Sequence, residues 1–536
     1  MNRTQLQRIQ NYAMREKAIW LMPLVAIWLG LALSPHYMPF WDSGIYINMG
    51  NSIAKGDGSK YLGHAFKYPP IFPFMLALII IPFGYNFLLM RALIVALGVG
   101  SIWLSYLIVR DRSNRWIATG VVVSTAVSFP IVFESTRILS DIPYMFFSLL
   151  AIRWVERYAS RSDAWRSKSG YIAIGLMVVT FFTRIVGATL LAGATAYFVL
   201  GGARLPRSRT SLKKAVAIGI ITIIVPTMWL TRNALNKDKF PPELRQGLSY
   251  ERELFSTTTE NPDAPTVRWK EFWERLKENE KYYEGLFSNI AFGKSRRSET
   301  HARVITLILL GGYLLCAFKH RTLVEYYAFF YILTYILWPA HQRERFLVPV
   351  IPFLFYYLFR FLEQIVSGMR WLLRRFAHWE DRRKLTEILA ILVLTGVFVL
   401  SHWKTDMRII RYETREPYYT GRYGVLVKLT QWLIDNTPDA TVIMSAHPDF
   451  VQVLFEQSAP NNATNRKTFG FPWLADRARL LQFMDRLGVG YVISVPSGKT
   501  KTYLHPVFKQ YPTRFGEAHR YGKYVIYRMV SPEAIH

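Results

Sequence analysis

Apolar runs close to the thickness of a bilayer recur along the chain, separated by short polar or basic segments. The pattern predicts about eleven spans, at 18–34, 86–109, 116–132, 143–155, 170–183, 186–202, 214–231, 302–318, 322–339, 346–362 and 385–401. A further apolar run, 70–84, is short and is broken by Pro70, Pro73 and Pro82. If it crossed, every later loop would change side. Laid along the surface as a re-entrant or juxtamembrane helix, it leaves the basic segments Arg110/Arg112/Arg115, 153–168, 204–214, Lys319/Arg321 and 370–384 on the inner side, as the bias of short loops requires. The N-terminus carries Arg3, Arg8, Arg15 and Lys17 ahead of a run too long for a cleaved signal. It is expected to stay in the cytoplasm, with the C-terminus outside.

The pattern changes after residue 401. Helical periodicity at 425–436, 449–455 and 473–487 alternates with β-like runs at 441–445, 491–495 and 524–529. That alternation predicts a small α/β domain. Leu487-Gly488-Val489-Gly490 marks a helix stop rather than a nucleotide fingerprint, because no helix opens after it. The expected fold class is mainly α: a polytopic membrane protein with a small C-terminal extracytoplasmic α/β domain. The expected domains are a cytoplasmic N-terminus (1–17), a transmembrane domain (18–401) with external loops 35–85 and 232–300, and the α/β domain (402–536).

Composition supports the membrane reading: of 536 residues, 51% are apolar and 15% aromatic. The net charge of +29 raises nucleic acid as a partner. The Lys and Arg residues sit largely between apolar runs, where topology and anionic lipid account for them. The single cysteine, Cys316, lies inside an apolar run and can form neither an intrachain disulfide nor a CxxC site.

Three groups of residues could carry chemistry, all on the predicted outer face. Asp42 follows the first span in Trp41-Asp42-Ser43-Gly44-Ile45-Tyr46. Its simplest role is a helix cap, and its functional one is a general base for an acceptor hydroxyl. Glu134, Arg137 and Asp141 share a face if the segment 134–141 is helical. A salt-bridged helix end with Asp141 as N-cap is the plainer explanation. Lys67, Arg184, Arg232, Arg343 and Arg345 are basic residues at the outer boundary, against the usual charge bias. Arginine there suits a phosphate, although snorkelling explains it too. Asp42 and Asp141 are the carboxylates that would hold a divalent cation, if one is used. Ser/His/Asp spacing, HExxH and Walker A motifs are missing from these segments. A lipid-linked phosphate donor therefore fits better than a soluble nucleotide.

At this point the chain resembles a known family. Trp41-Asp42-Ser43-Gly44-Ile45-Tyr46, Lys55-Gly56 and Tyr68-Pro69-Pro70-Ile71-Phe72-Pro73 look like the first external loop of the GT-C glycosyltransferases. The similarity is to bacterial proteins resembling dolichyl-phosphate-mannose–protein mannosyltransferases and the lipid A aminoarabinose transferase. Arg137 with Asp141-Ile142-Pro143, Thr183-Arg184, Thr231-Arg232-Asn233 and Arg345-Phe346-Leu347-Val348-Pro349 resemble later motifs of that family. So does the tail, through Trp432-Leu433-Ile434-Asp435-Asn436-Thr437-Pro438 and Leu487-Gly488-Val489-Gly490-Tyr491-Val492. The resemblance implies a GT-C fold in a bacterial inner or plasma membrane. It implies an inverting transfer of a hexose or pentose from a polyprenyl-phosphate donor to a glycan, lipid or protein hydroxyl. Asp42 and Asp141 fall on its catalytic positions, with Arg184, Arg345, Arg137 and Lys67 at the donor phosphate. Glu134, Tyr46, Arg232 and Arg343 are further candidates. Lys67 departs from the pattern, since relatives often place the Lys directly before the two prolines and here Tyr68 intervenes. A polyprenyl-phosphate or lipid transporter, or a non-catalytic scaffold binding a lipid-linked glycan, remain the alternatives.

Overall fold

In a computed structural model, the chain is described from Lys17 to Val530, except for 41, 161–166, 203–208, 237–242, 245–249, 258–263, 294–297, 378–382, 416–418, 461–463, 473, 475 and 499. The basic N-terminus and parts of three expected inner loops (161–166, 204–208 and 378–382) therefore lie outside the described residues. Two compact units emerge. One comprises residues 1–34, 91–228 and 272–414, and the other residues 35–90, 229–271 and 415–536.

The first unit is helical. Phe87–Arg110, Ser211–Asn236, Glu299–Lys319, Arg343–Met369 and Thr386–Glu413 are long and apolar enough to cross a bilayer; the first residues of Phe87–Arg110 and the last of Ser211–Asn236 are counted with the second unit. Arg115–Ala126 and Phe129–Ser135 pass the same test together, bent by 56° at their break. Ala18–Gly30, Lys168–Thr183, Ile185–Leu200 and Leu323–Leu337 are shorter apolar helices. The helix Asp141–Ala159 carries Asp141, Arg153, Glu156 and Arg157. Helices stand where the spans were expected, but among the described residues five, or six with the bent pair, have the length and composition to cross unaided, so the count of eleven rests on the sequence pattern.

The packing follows local chemistry. Gly312 lies against the backbone of Tyr357, where an added Cβ would fall 2.0 Å from its carbonyl oxygen, so Glu299–Lys319 and Ile351–Ala377 meet backbone to backbone. Thr322 and Glu325 form a capping box that starts Leu323–Leu337. Cys316 is buried, as its place in an apolar run suggests. The last long helix does not stop at residue 401. It runs through Glu413, and the second unit resumes at Arg415.

The second unit holds residues 35–90, part of the long segment 232–300 and the C-terminal residues from 415 on. The helix Ser43–Ala54 leads into a small hairpin of β1 (Lys60–Tyr61) and β2 (His64–Ala65), then into the helix Ile71–Phe83. At 13 residues this last helix is about 20 Å long, short of a roughly 30 Å hydrocarbon core. It packs on Ser43–Ala54 at Gly50, whose missing side chain leaves room for Leu76 and the Pro73 carbonyl.

The C-terminal domain is a five-stranded mixed sheet of order β4-β3-β5-β7-β6. These are β3 (Val442–Ser445), β4 (Lys467–Phe469), β5 (Val489–Ser494), β6 (Phe515–Tyr521) and β7 (Tyr524–Met529). β3 pairs parallel with β4 and β5, and β7 pairs antiparallel with β5 and β6. Gly488 adopts φ +65 directly after the helix Arg477–Arg486 and its C-cap Leu487, confirming the helix stop. Gly421–Asn436, Pro448–Ser458 and Arg477–Arg486 match the expected helices, and β4 and β6 are additions at the sheet's two edges.

Candidate active site

Asp42 occupies the N-cap position of Ser43–Ala54, yet its side chain makes no capping hydrogen bond. Ser43 is the residue that ties the helix start down. Its Oγ accepts from the Phe40 amide at 3.1 Å and pairs with the Tyr37 hydroxyl at 2.9 Å. The capping explanation of Asp42 therefore does not hold. The Asp42 charge raises the proton affinity of Tyr68, Glu253 and Asp449, adding in each case to the larger effect of burial.

The walls of this region are aromatic. Tyr46 stacks on Tyr68 with centroids 5.2 Å apart and meets Phe72 edge-on at 5.1 Å. Lys67 forms an ion pair with Glu253 and lies 4.8 Å from the Tyr250 ring centroid. Arg232 donates to the Phe66 carbonyl at 2.7 Å, and the Trp229 indole donates to the Lys67 carbonyl at 3.1 Å. Lys67 is thus neutralised by Glu253, and Arg232 braces the loop that carries it. Glu253 lay inside a long loop with no motif, so nothing in the sequence marked it.

In the first unit, Asp141 is the first residue of its helix, with Ser140 at the cap. A carboxylate there is favoured by the helix dipole. Both its oxygens are taken: Arg184 Nη1 donates to Oδ1, and Arg345 Nε donates to Oδ2 at 2.7 Å. Arg184 is a single extended residue, φ −157, between Lys168–Thr183 and the turn Ile185–Gly187. The turn is tight because Gly187 sits on the Phe181 backbone, where a Cβ would fall 2.6 Å from the Phe181 Cα. Arg345 lies in the 3-10 helix Arg343–Val350, and its Nη1 donates to the Gln342 side chain at 2.9 Å. The Arg184 guanidinium lies 5.8 Å from the Phe346 ring centroid.

The segment 134–141 is not one helix. Phe129–Ser135 ends at Ser135 and a new helix starts at Asp141, so the expected shared face of Glu134, Arg137 and Asp141 is replaced by a turn. Arg137 turns instead to Glu413, donating to Oε1 at 2.6 Å, and Arg91 approaches the other oxygen at 3.4 Å. All three side chains are buried. Arg137 is thus ion-paired within the helical unit. Glu134 is buried within the electrostatic reach of Arg345, Arg137 and Arg184. Arg343 is exposed, with φ +55, and its amide donates to the Tyr282 hydroxyl at 2.9 Å.

Among the described residues, no set of three or more His, Cys, Asp or Glu side chains converges as metal ligands would. Asp141, with both oxygens on arginines, does not fit a cation ligand as it stands.

These features define an integral membrane protein holding an arginine-clamped carboxylate in its helical unit and a carboxylate region walled by tyrosines in the other. The fold is that of the GT-C glycosyltransferases. ArnT from Cupriavidus metallidurans bound to undecaprenyl phosphate is similar at 12% identity and a TM-score of 0.55, over 96% of this chain and 98% of that one. The same protein in the apo state gives 10% identity and a TM-score of 0.57, over 97% and 99%. The archaeal oligosaccharyltransferase AglB from Archaeoglobus fulgidus, in complex with an inhibitory peptide and a dolichol-phosphate, is similar at 12% identity and 0.55, over 90% of this chain and 70% of that one. No family model matches the chain. No curated protein matches it in sequence.

Proposed function

We propose that this chain is a membrane glycosyltransferase that moves a monosaccharide from a polyprenyl-phosphate donor to an acceptor hydroxyl outside the cytoplasm. The observation that carries the reading is the pairing of Arg184 and Arg345 on Asp141, which assembles two guanidiniums around one buried carboxylate. Two positive charges on one negative leave that trio with an excess positive charge. Such a trio suits the phosphate of a lipid whose tail lies in the bilayer. The structural likeness to proteins solved with undecaprenyl phosphate and dolichol-phosphate supports the same class of donor.

The acceptor oxygen attacks the sugar carbon bonded to phosphate, and the carbon–oxygen bond to phosphate breaks with inversion. The electron pair goes to the phosphate oxygen, and the acceptor's proton passes to Asp42. Arg184 and Arg345 stabilise the departing phosphate, an effect worth roughly 3–4 kcal/mol for one well-placed donor. Asp141 is a positioning residue that fixes both arginines. The sugar is a hexose or pentose, and the acceptor a glycan, lipid or protein of a bacterial envelope. Cells lacking the protein, compared with cells carrying Asp42→Ala, test this by mass spectrometry of envelope glycans. A mass loss common to both identifies the sugar, and no loss in either refutes the reading.

A further inference from the structure

The C-terminal domain brings a carboxylate to Asp42 that sequence patterns do not reveal. Asp449 is the second residue of the helix Pro448–Ser458, which packs on Ser43–Ala54. Gly44, two residues after Asp42, permits the approach: a Cβ there would lie 2.5 Å from the Asp449 Cβ and 3.0 Å from its backbone. The Tyr61 hydroxyl, from the hairpin after that helix, donates to Asp449 Oδ1. Among the described residues, Oδ2 accepts no hydrogen bond. The residue is only partly buried, so this second oxygen is within reach of a ligand.

The same helix has a second pin of the same kind, the Tyr85 hydroxyl donating to Glu456 Oε2. The Asp42 charge acts on Asp449. If docking were the only task, a neutral residue would hold Asp449's place without setting one carboxylate against another. Two carboxylates flanked by tyrosines, one of them keeping an oxygen without a hydrogen bond among the described residues, are the chemistry that binds a polyhydroxylated acceptor.

We propose that Asp449 is a second acceptor-binding carboxylate of the Asp42 site: its Oδ2 accepts a hydrogen bond from the incoming acceptor and holds it for deprotonation by Asp42. The inference rests on the glycosyltransferase reading and assigns the C-terminal domain a direct part in acceptor binding.

The test uses the full-length purified protein, synthetic undecaprenyl-phosphate-linked mannose, glucose and arabinose as donors, and an envelope extract from cells lacking the protein as acceptor. Donor hydrolysis and transfer to the extract are measured separately for wild type, Asp449→Asn and Glu456→Gln. Asp449→Asn is expected to need at least tenfold more extract for half-maximal transfer, with hydrolysis within threefold of wild type. Glu456→Gln, which loosens the same helix, is expected to leave both within threefold. If Asp449→Asn fails to fold, Tyr61→Phe, which keeps the charge and unties the carboxylate, is expected to shift the acceptor dependence in the same direction. Unchanged acceptor dependence in the folded variant, or parallel losses in Asp449→Asn and Glu456→Gln, overturns the proposal. A wild type that neither hydrolyses nor transfers any of these donors overturns the glycosyltransferase reading itself, and the proposal with it.

Discussion

Arg345 Nε donates to Asp141 Oδ2 at 2.7 Å, joining residues 204 positions apart, both almost wholly buried. Arg184 completes the clamp from the other oxygen. Removing the shared carboxylate leaves two guanidiniums facing each other. Asp141→Ala should therefore cost about 3–5 kcal/mol, the usual penalty for stranding a buried charge. Thermal unfolding in detergent measures it. In a double-mutant cycle with Arg345→Gln, the two losses should be strongly non-additive.

Arg345→Lys keeps the charge but not the planar fork. If the arginines receive the donor phosphate, this variant should lose on the order of a hundredfold in kcat while remaining folded. Steady-state rates on a lipid-linked donor read the effect.

Arg137 should behave differently. Its guanidinium is bound to Glu413 in a buried pair beside Arg91. Arg137→Ala is expected to lower stability by roughly 3 kcal/mol and to leave the donor KM of the surviving folded protein unchanged. A raised donor KM at unchanged melting temperature would restore Arg137 to the phosphate site.

Burial, reinforced by the charge of Asp42 and opposed by the Tyr61 hydrogen bond, pushes the Asp449 carboxyl up to about 6. Tyr37 also faces it electrostatically. An unfolded Asp titrates near roughly 3.9, so between about pH 4 and 6 the folded chain binds more protons than the unfolded one. The docked helix Pro448–Ser458 should therefore lose stability as pH rises through that window, by on the order of 1 kcal/mol after allowance for its solvent contact. Hydrogen exchange of this helix should show the slope in wild type and a flat profile in Asp449→Asn. Gly44→Ala should loosen the same contact at every pH, because its methyl overlaps Asp449, an overpacking cost of about 1–3 kcal/mol.

Much of the helical unit was legible because apolar runs report their own burial in lipid or core. Asp42, Asp141, Arg184 and Arg345 were legible as ionisable residues at the ends of such runs. Their partners were not. That Arg184 and Arg345 converge on one carboxylate depends on contacts 43 and 204 residues apart, which no local pattern encodes. Glu413 was missed because the apolar run fades near Leu400 while the helix continues to bury one face through Asp406 and Glu413. Strand β6, Phe-Gly-Glu-Ala-His-Arg-Tyr, is a mostly solvated edge whose pattern gives little sign of burial. Asp449 followed a proline at a helix start, where an acidic residue is ordinary.

The most direct test of the account is the rate of sugar transfer from an undecaprenyl-phosphate-linked donor by purified wild-type protein and by Asp42→Asn. General-base catalysis by Asp42 predicts a fall of about 10²- to 10⁴-fold in kcat with donor affinity preserved. An Asp42→Asn protein that transfers sugar at the wild-type rate would contradict it.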